Sequence, residues 1–63
     1  MKPIEIAVRV GGKVYSGAYI VEDATVRVAY RGESKAALVG HSPPETIAST
    51  LLRELVRESR HRA

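Results

Sequence analysis

Arg53, Arg57 and Arg60 recur near the C-terminal end of the chain and fall within about 60° of one another on a helical wheel, beside Ser49. A guanidinium presents forked donors to phosphate oxygens, so a row of one sign can track a phosphate backbone. Glu54 and Glu58 fall on a separate strip. The competing reading is a solvated helix face whose charges serve solubility and the helix dipole. A second basic set lies upstream: Arg9, Arg27 and Arg31 project from alternate strand positions, with Lys13 and Lys35 near turns. Short antiparallel ribbons can enter a DNA groove and read base edges. Tyr15, Tyr19 and Tyr30 would stack on bases if exposed. The alternation puts Tyr15 and Tyr19 on the isoleucine face, as core residues with hydroxyls at the rim, and Tyr19 is placed to shield Gly17.

Nucleophilic and acid–base chemistry finds no assembly here. Ser16, Ser34, Ser42, Ser49 and Ser59 have no evident base. His41 reads as a loop residue and His61 as a helix-end residue. The carboxylates are scattered over strand faces and turns, without a pair held at a cleft. GGKVYSG lacks the residue order of a phosphate loop and joins two strands instead of opening a helix. With no Cys, and the two histidines twenty positions apart, neither a disulfide nor a clustered metal site is expected. The expectation is a non-enzyme with no cofactor and no small-molecule substrate.

A chain of 63 residues makes one domain. At this size only about 60% of the unfolded surface is buried on folding, so small scaffolds usually need a staple, and association is the one left. Ten Lys and Arg against seven Asp and Glu leave a net charge of +3, which permits a polyanionic partner without requiring one. The opening MKPIEIAVRVGG lacks the apolar run of a signal peptide, and no segment has the roughly 18 apolar residues of a membrane span. A soluble, cytoplasmic protein is expected.

The elements that must position the arginines follow from periodicity. IEIAVRV (Ile4 to Val10) alternates strictly, the pattern of a half-buried strand. Gly11-Gly12 tolerates the positive φ of a two-residue hairpin turn, and KVYSGAYIVE (Lys13 to Glu22) returns. That turn sets Val10 opposite Lys13, Val8 opposite Tyr15, Ile6 opposite Gly17 and Ile4 opposite Tyr19. A three-residue GGK turn would force Lys13 into the left-handed region and is disfavoured. Asp23-Ala24 is a short turn before TVRVAYR (Thr25 to Arg31); Gly32-Glu33-Ser34 is another. KAALV (Lys35 to Val39) reads as a fourth, short strand, with alanines weakening the signal. Ser42-Pro43-Pro44-Glu45 fits a capping box, so a helix is expected from Pro43 to about Arg60. Arg57, Arg60, His61 and Arg62 suit its negative end.

The expected fold is therefore α+β: an antiparallel sheet of three to four strands over 1–40, then one amphipathic helix over 42–60. Ile47, Leu51 and Leu55 form one apolar row and Ala48, Leu52 and Val56 the next, wider than the stripe of about 100° that one sheet needs. The reverse sheet face holds Ala7, Val14, Ala18 and Ile20 beside charges. This excess predicts a two-fold symmetric homodimer with Leu52, Val56, Ala18 and Ile20 at its interface. The alternative is that scattered surface valines and alanines carry no meaning.

IEIAVRV, KVYSGAYIVE and TVRVAYR followed by SPPETIASTLLRELVRESR resemble small plasmid- or phage-borne prokaryotic proteins of sheet-then-helix build, and three-stranded-sheet DNA-binding domains. The resemblance covers nearly the whole chain but carries no diagnostic motif. The chain departs from ribbon–helix–helix repressors, which have one strand and two helices, so their base-reading residues do not transfer. What the resemblance implies is a small homodimeric DNA-binding regulator, with Arg53, Arg57 and Arg60 anchoring the backbone and Arg9 and Arg27 as groove contacts. A protein-interaction module is the alternative, and no residue separates RNA from DNA as partner.

Overall fold

The computed structural model describes residues 2–62, with side chains through Arg60. Four strands, β1 (Ile4–Val10), β2 (Lys13–Glu22), β3 (Thr25–Tyr30) and β4 (Glu33–Leu38), form an antiparallel meander in the order β1-β2-β3-β4. One helix, α1 (Pro44–Arg62), follows. The fold is α+β.

All three hairpins close with two residues of positive φ: Gly11 and Gly12 at 58° and 81°, Asp23 and Ala24 at 49° and 59°, Arg31 and Gly32 at 48° and 81°. This is the mirror-image turn whose twist matches the right-handed twist of its strands. The first turn gives the expected register, with Val10 opposite Lys13, Val8 opposite Tyr15, Ile6 opposite Gly17 and Ile4 opposite Tyr19. The third turn differs from expectation. It is Arg31-Gly32 rather than Gly32-Glu33-Ser34, so Tyr30 pairs with Glu33 and β4 begins two residues before Lys35. Gly32 takes the second turn position without strain, which draws Arg31 into the first.

The helix also starts later than its sequence signal. The Pro43 carbonyl accepts hydrogen bonds from the amides of Thr46 (3.1 Å) and Ile47 (3.3 Å), so Pro43 holds the cap position and Pro44 is the first helical residue. A residue preceding proline is pushed out of the α region, so Pro43 cannot join the helix and Ser42 lies one place too early to cap it. Glu45 still lies in the first turn, where the dipole favours a carboxylate.

One sheet face carries Val8, Val10, Tyr19, Val26, Val28 and Tyr30, and α1 lies across it, touching all four strands. Both apolar rows of the helix enter this core. Leu52, Leu55 and Val56 are among its most completely buried side chains, and Ala48 and Leu51 are buried with them. The expected excess of helix surface is absent because a twisted four-stranded sheet wraps a wider arc than a flat one. Leu52 and Val56 are consequently core residues of a single chain and are unavailable to a dimer interface. Ala18 and Ile20 lie on the opposite sheet face and are half-buried there.

The closest approach of helix to sheet is at Gly17. A Cβ placed there would stand 2.9 Å from a Leu52 methyl and 2.9 Å from the Ala29 carbonyl oxygen. Leu52, not Tyr19, occupies this notch. Gly17→Ala is expected to destabilise the fold by about 1–3 kcal/mol through overpacking, measured by urea unfolding. Ala24→Gly should do the reverse. Alanine pays to sit at a φ of 59°, and relieving that strain should stabilise by about 0.5–1 kcal/mol in the same assay.

Candidate nucleic-acid interface

The helix divides by charge. Its core-facing rows are apolar, one flank carries Glu54 and Glu58, and the other carries Arg53, Arg57 and Arg60. The acidic flank lies over β4. Lys35 of β4 ties the acidic flank down, with its ammonium 3.1 Å from the Glu54 carboxylate and in a second ion pair with Glu58. Arg60, at the end of the basic flank, reaches the β1–β2 turn, where a Cβ built on Gly11 would stand 3.0 Å from its guanidinium nitrogen. Arg53, Arg57 and Arg60 are all exposed, and no carboxylate among the described residues forms an ion pair with them. The side chains of His61 and Arg62, read with the same helix end, lie outside the described residues.

Lys35, grouped by sequence with the basic residues of the turns, is thus the partner of two carboxylates. Hydrogen bonding to Glu58 and then Glu54 raises its pKa above the ordinary 10.5. A raised lysine pKa gives stability that is complete below the unfolded value and is lost as pH climbs through the folded one. Lys13 moves the other way. It pairs with Val10 beside the Gly11-Gly12 turn, on the helix side of the sheet, and so belongs with Arg60 at the end of the basic flank.

Arg9 and Arg27 lie elsewhere. Both are exposed, and their positions alternate with the core residues of β1 and β3, so they project from the sheet face opposite the helix. Arg27 stands between Ile20 and Ala36 in its cross-strand row. It borders a depression of about 400 Å³ shared with Glu22 and Asp23, whose carboxylates oppose a phosphate there. Arg31, in its turn, holds its guanidinium carbon 5.7 Å from the Tyr30 ring centroid. The helix arginines and the strand arginines therefore face opposite sides of the molecule. One surface cannot use both.

The tyrosines do not form a stacking platform. Tyr19 and Tyr30 are buried, and Tyr15, half-buried, meets Tyr30 edge to face at 6.4 Å with the rings at 79°. The open sheet face carries small residues in its central row, Ala18 beside Ala29 beside Ser34, with Val14 (62% exposed) and Leu38 (75%) toward its edges. Among the described residues, no helix is long and apolar enough to cross a membrane.

No family model matches the chain, and no curated protein or solved structure compared with it does so either.

The Lys35 pairing has a measurable consequence. The stability advantage of the wild type over Lys35→Met should be fully present below pH 10.5 and shrink as pH rises beyond it. Denaturant unfolding of the two proteins across that range is the check, and the tyrosines they share cancel in the difference.

Proposed function

We propose that this chain is a small, non-catalytic, homodimeric nucleic-acid-binding protein whose helix arginines hold phosphates, in the form of a cytoplasmic DNA-binding regulator of transcription. The observation that carries this reading is the asymmetry of α1. Lys35 pairs with Glu54 and Glu58 on one flank, while Arg53, Arg57 and Arg60 remain exposed and free of ion pairs with described carboxylates on the other. Guanidinium groups left in this state suit bidentate contact with phosphate oxygens. Lys13 extends the row. Arg9 and Arg27 drop to a secondary role, because they face away from it and Arg27 sits among carboxylates. A plasmid- or phage-borne origin accompanies this reading only through the sheet-then-helix resemblance.

Titration of duplex DNA at several salt concentrations tests the proposal. Three phosphate contacts per protomer predict a slope of log K against log salt of about −5 for a dimer and about −3 for a monomer. Arg53→Glu with Arg57→Glu should abolish binding at moderate salt while leaving the fold intact by circular dichroism. Absence of binding by the wild type at low ionic strength sinks the proposal. The same titration with duplex and single-stranded RNA decides which nucleic acid is preferred.

A protein-interaction module is the second reading, favoured by Val14 and Leu38, which stand exposed at 62% and 75% on the uncovered sheet face. Capture of one defined protein partner, undiminished by the Arg53 and Arg57 reversals, would support it over the first.

A further inference from the structure

The meander leaves two unpaired edges, β1 and β4. Exposed edges template pairing with another chain, and proteins usually blunt them with bulges, internal proline or lysine. β1 has none of these. Its seven residues pair with β2 in unbroken register, and Ile4 stands 51% exposed on the helix side.

The two-residue hairpin determines which backbone groups of β1 are free. Val10 and Lys13, flanking the turn, exchange hydrogen bonds, and the alternation continues through Val8, Ile6 and Ile4. The amides and carbonyls of Glu5, Ala7 and Arg9 therefore point outward from the sheet. An added antiparallel strand must meet these three residues with outward-pointing residues of its own.

We infer that a second copy of this chain docks on β1, antiparallel about a two-fold axis at Ala7, to make one continuous eight-stranded sheet. Glu5 then faces Arg9 of the other copy, Ala7 faces Ala7, and Arg9 faces Glu5. On the helix side Ile4 meets Val10 and Ile6 meets Val8, which covers the exposed Ile4. The sequence of β1 complements itself in this register and in no neighbouring one. A slide of two residues leaves Glu5 or Arg9 opposite Ala7. A slide of four sets Glu5 against Glu5 or Arg9 against Arg9, and like charges directly opposite are destabilising. A slide of one residue reverses the faces. The β4 edge offers no such match, since Ser34, Ala36 and Leu38 carry its outward groups and no charge.

A two-fold pairing of one edge with itself closes at two copies, whereas β1 against β4 would propagate. The pairing gives the homodimer of the proposed function its interface, and it holds or fails independently of nucleic acid. It commits Arg9 to a carboxylate rather than a phosphate. It also sets the two copies' Arg60 groups, each beside its own β1–β2 turn, at opposite ends of one seam.

Sedimentation velocity without nucleic acid is the test, at moderate salt on the full chain. The wild type should dimerise, and Glu5→Arg and Arg9→Glu should each raise the dissociation constant about tenfold. The double swap Glu5→Arg with Arg9→Glu restores opposite charges and should return it to within about threefold of wild type. Ala7→Pro, at an edge position whose amide points outward, should leave the circular dichroism spectrum of the monomer intact and abolish the dimer. Concentration-dependent exchange protection at the Glu5, Ala7 and Arg9 amides should accompany pairing. A wild type that stays monomeric at about 100 µM, well above the affinity range of specific interfaces, overturns the inference. So does a double swap no tighter than either single variant. A dimeric wild type that fails to bind duplex DNA at low ionic strength would overturn the nucleic-acid reading alone.

Discussion

Leu52 meets the sheet at a position in β2 that has no side chain, and the seating of its methyl groups over Gly17 governs how near α1 can lie to the strands. A single added carbon there would force the helix or the strands to give. Dispersion falls off steeply over fractions of an ångström, so this approach also decides how well Leu55, Val56, Val26 and Val28 fill the space around it. In a chain this short no second core exists to compensate. The polar arrangement of the molecule follows from the same contact, because the angle at which the helix is pinned decides which flank meets β4 and where Arg60 meets the β1–β2 turn.

Lys35 illustrates that dependence. Its place on the helix side of β4 brings its ammonium to Glu54 and Glu58 and ties that flank of α1 to the sheet. The opposite flank carries three arginines, all exposed. The +3 of the whole chain thus averages over a helix whose charges are sorted by flank. The separation of the helix arginines from Arg9 and Arg27 has the same origin: a sheet one residue thick stands between them. Their shared sign in the sequence does not make them one surface.

The hairpins were readable from the sequence where glycine and alternation agreed. Gly11-Gly12 between two alternating strands admits essentially one tight turn, and the observed partners from Ile4–Tyr19 to Val10–Lys13 follow from it. Reading failed where the local signal was split. Arg31 carries no mark of a left-handed residue, yet its neighbour Gly32 and the hairpin geometry require it there. Ser42 and Glu45 have the spacing of a capping box, but the consecutive prolines move the helix start one residue on. Both misses are of one or two residues.

Strand order, the two faces of the sheet, the helix and its basic flank were determined by the sequence itself, because they rest on local periodicity and on the few turns that glycine permits. Only the tertiary structure decided how much of the helix one sheet can cover, since the arc enclosed depends on the twist of four strands together. That decision turned Leu52 and Val56 from interface residues into core. It also assigned Lys35 to Glu54 and Glu58, and Lys13 to the neighbourhood of Arg60. Such pairings join residues distant in the chain, and no spacing along it encodes them.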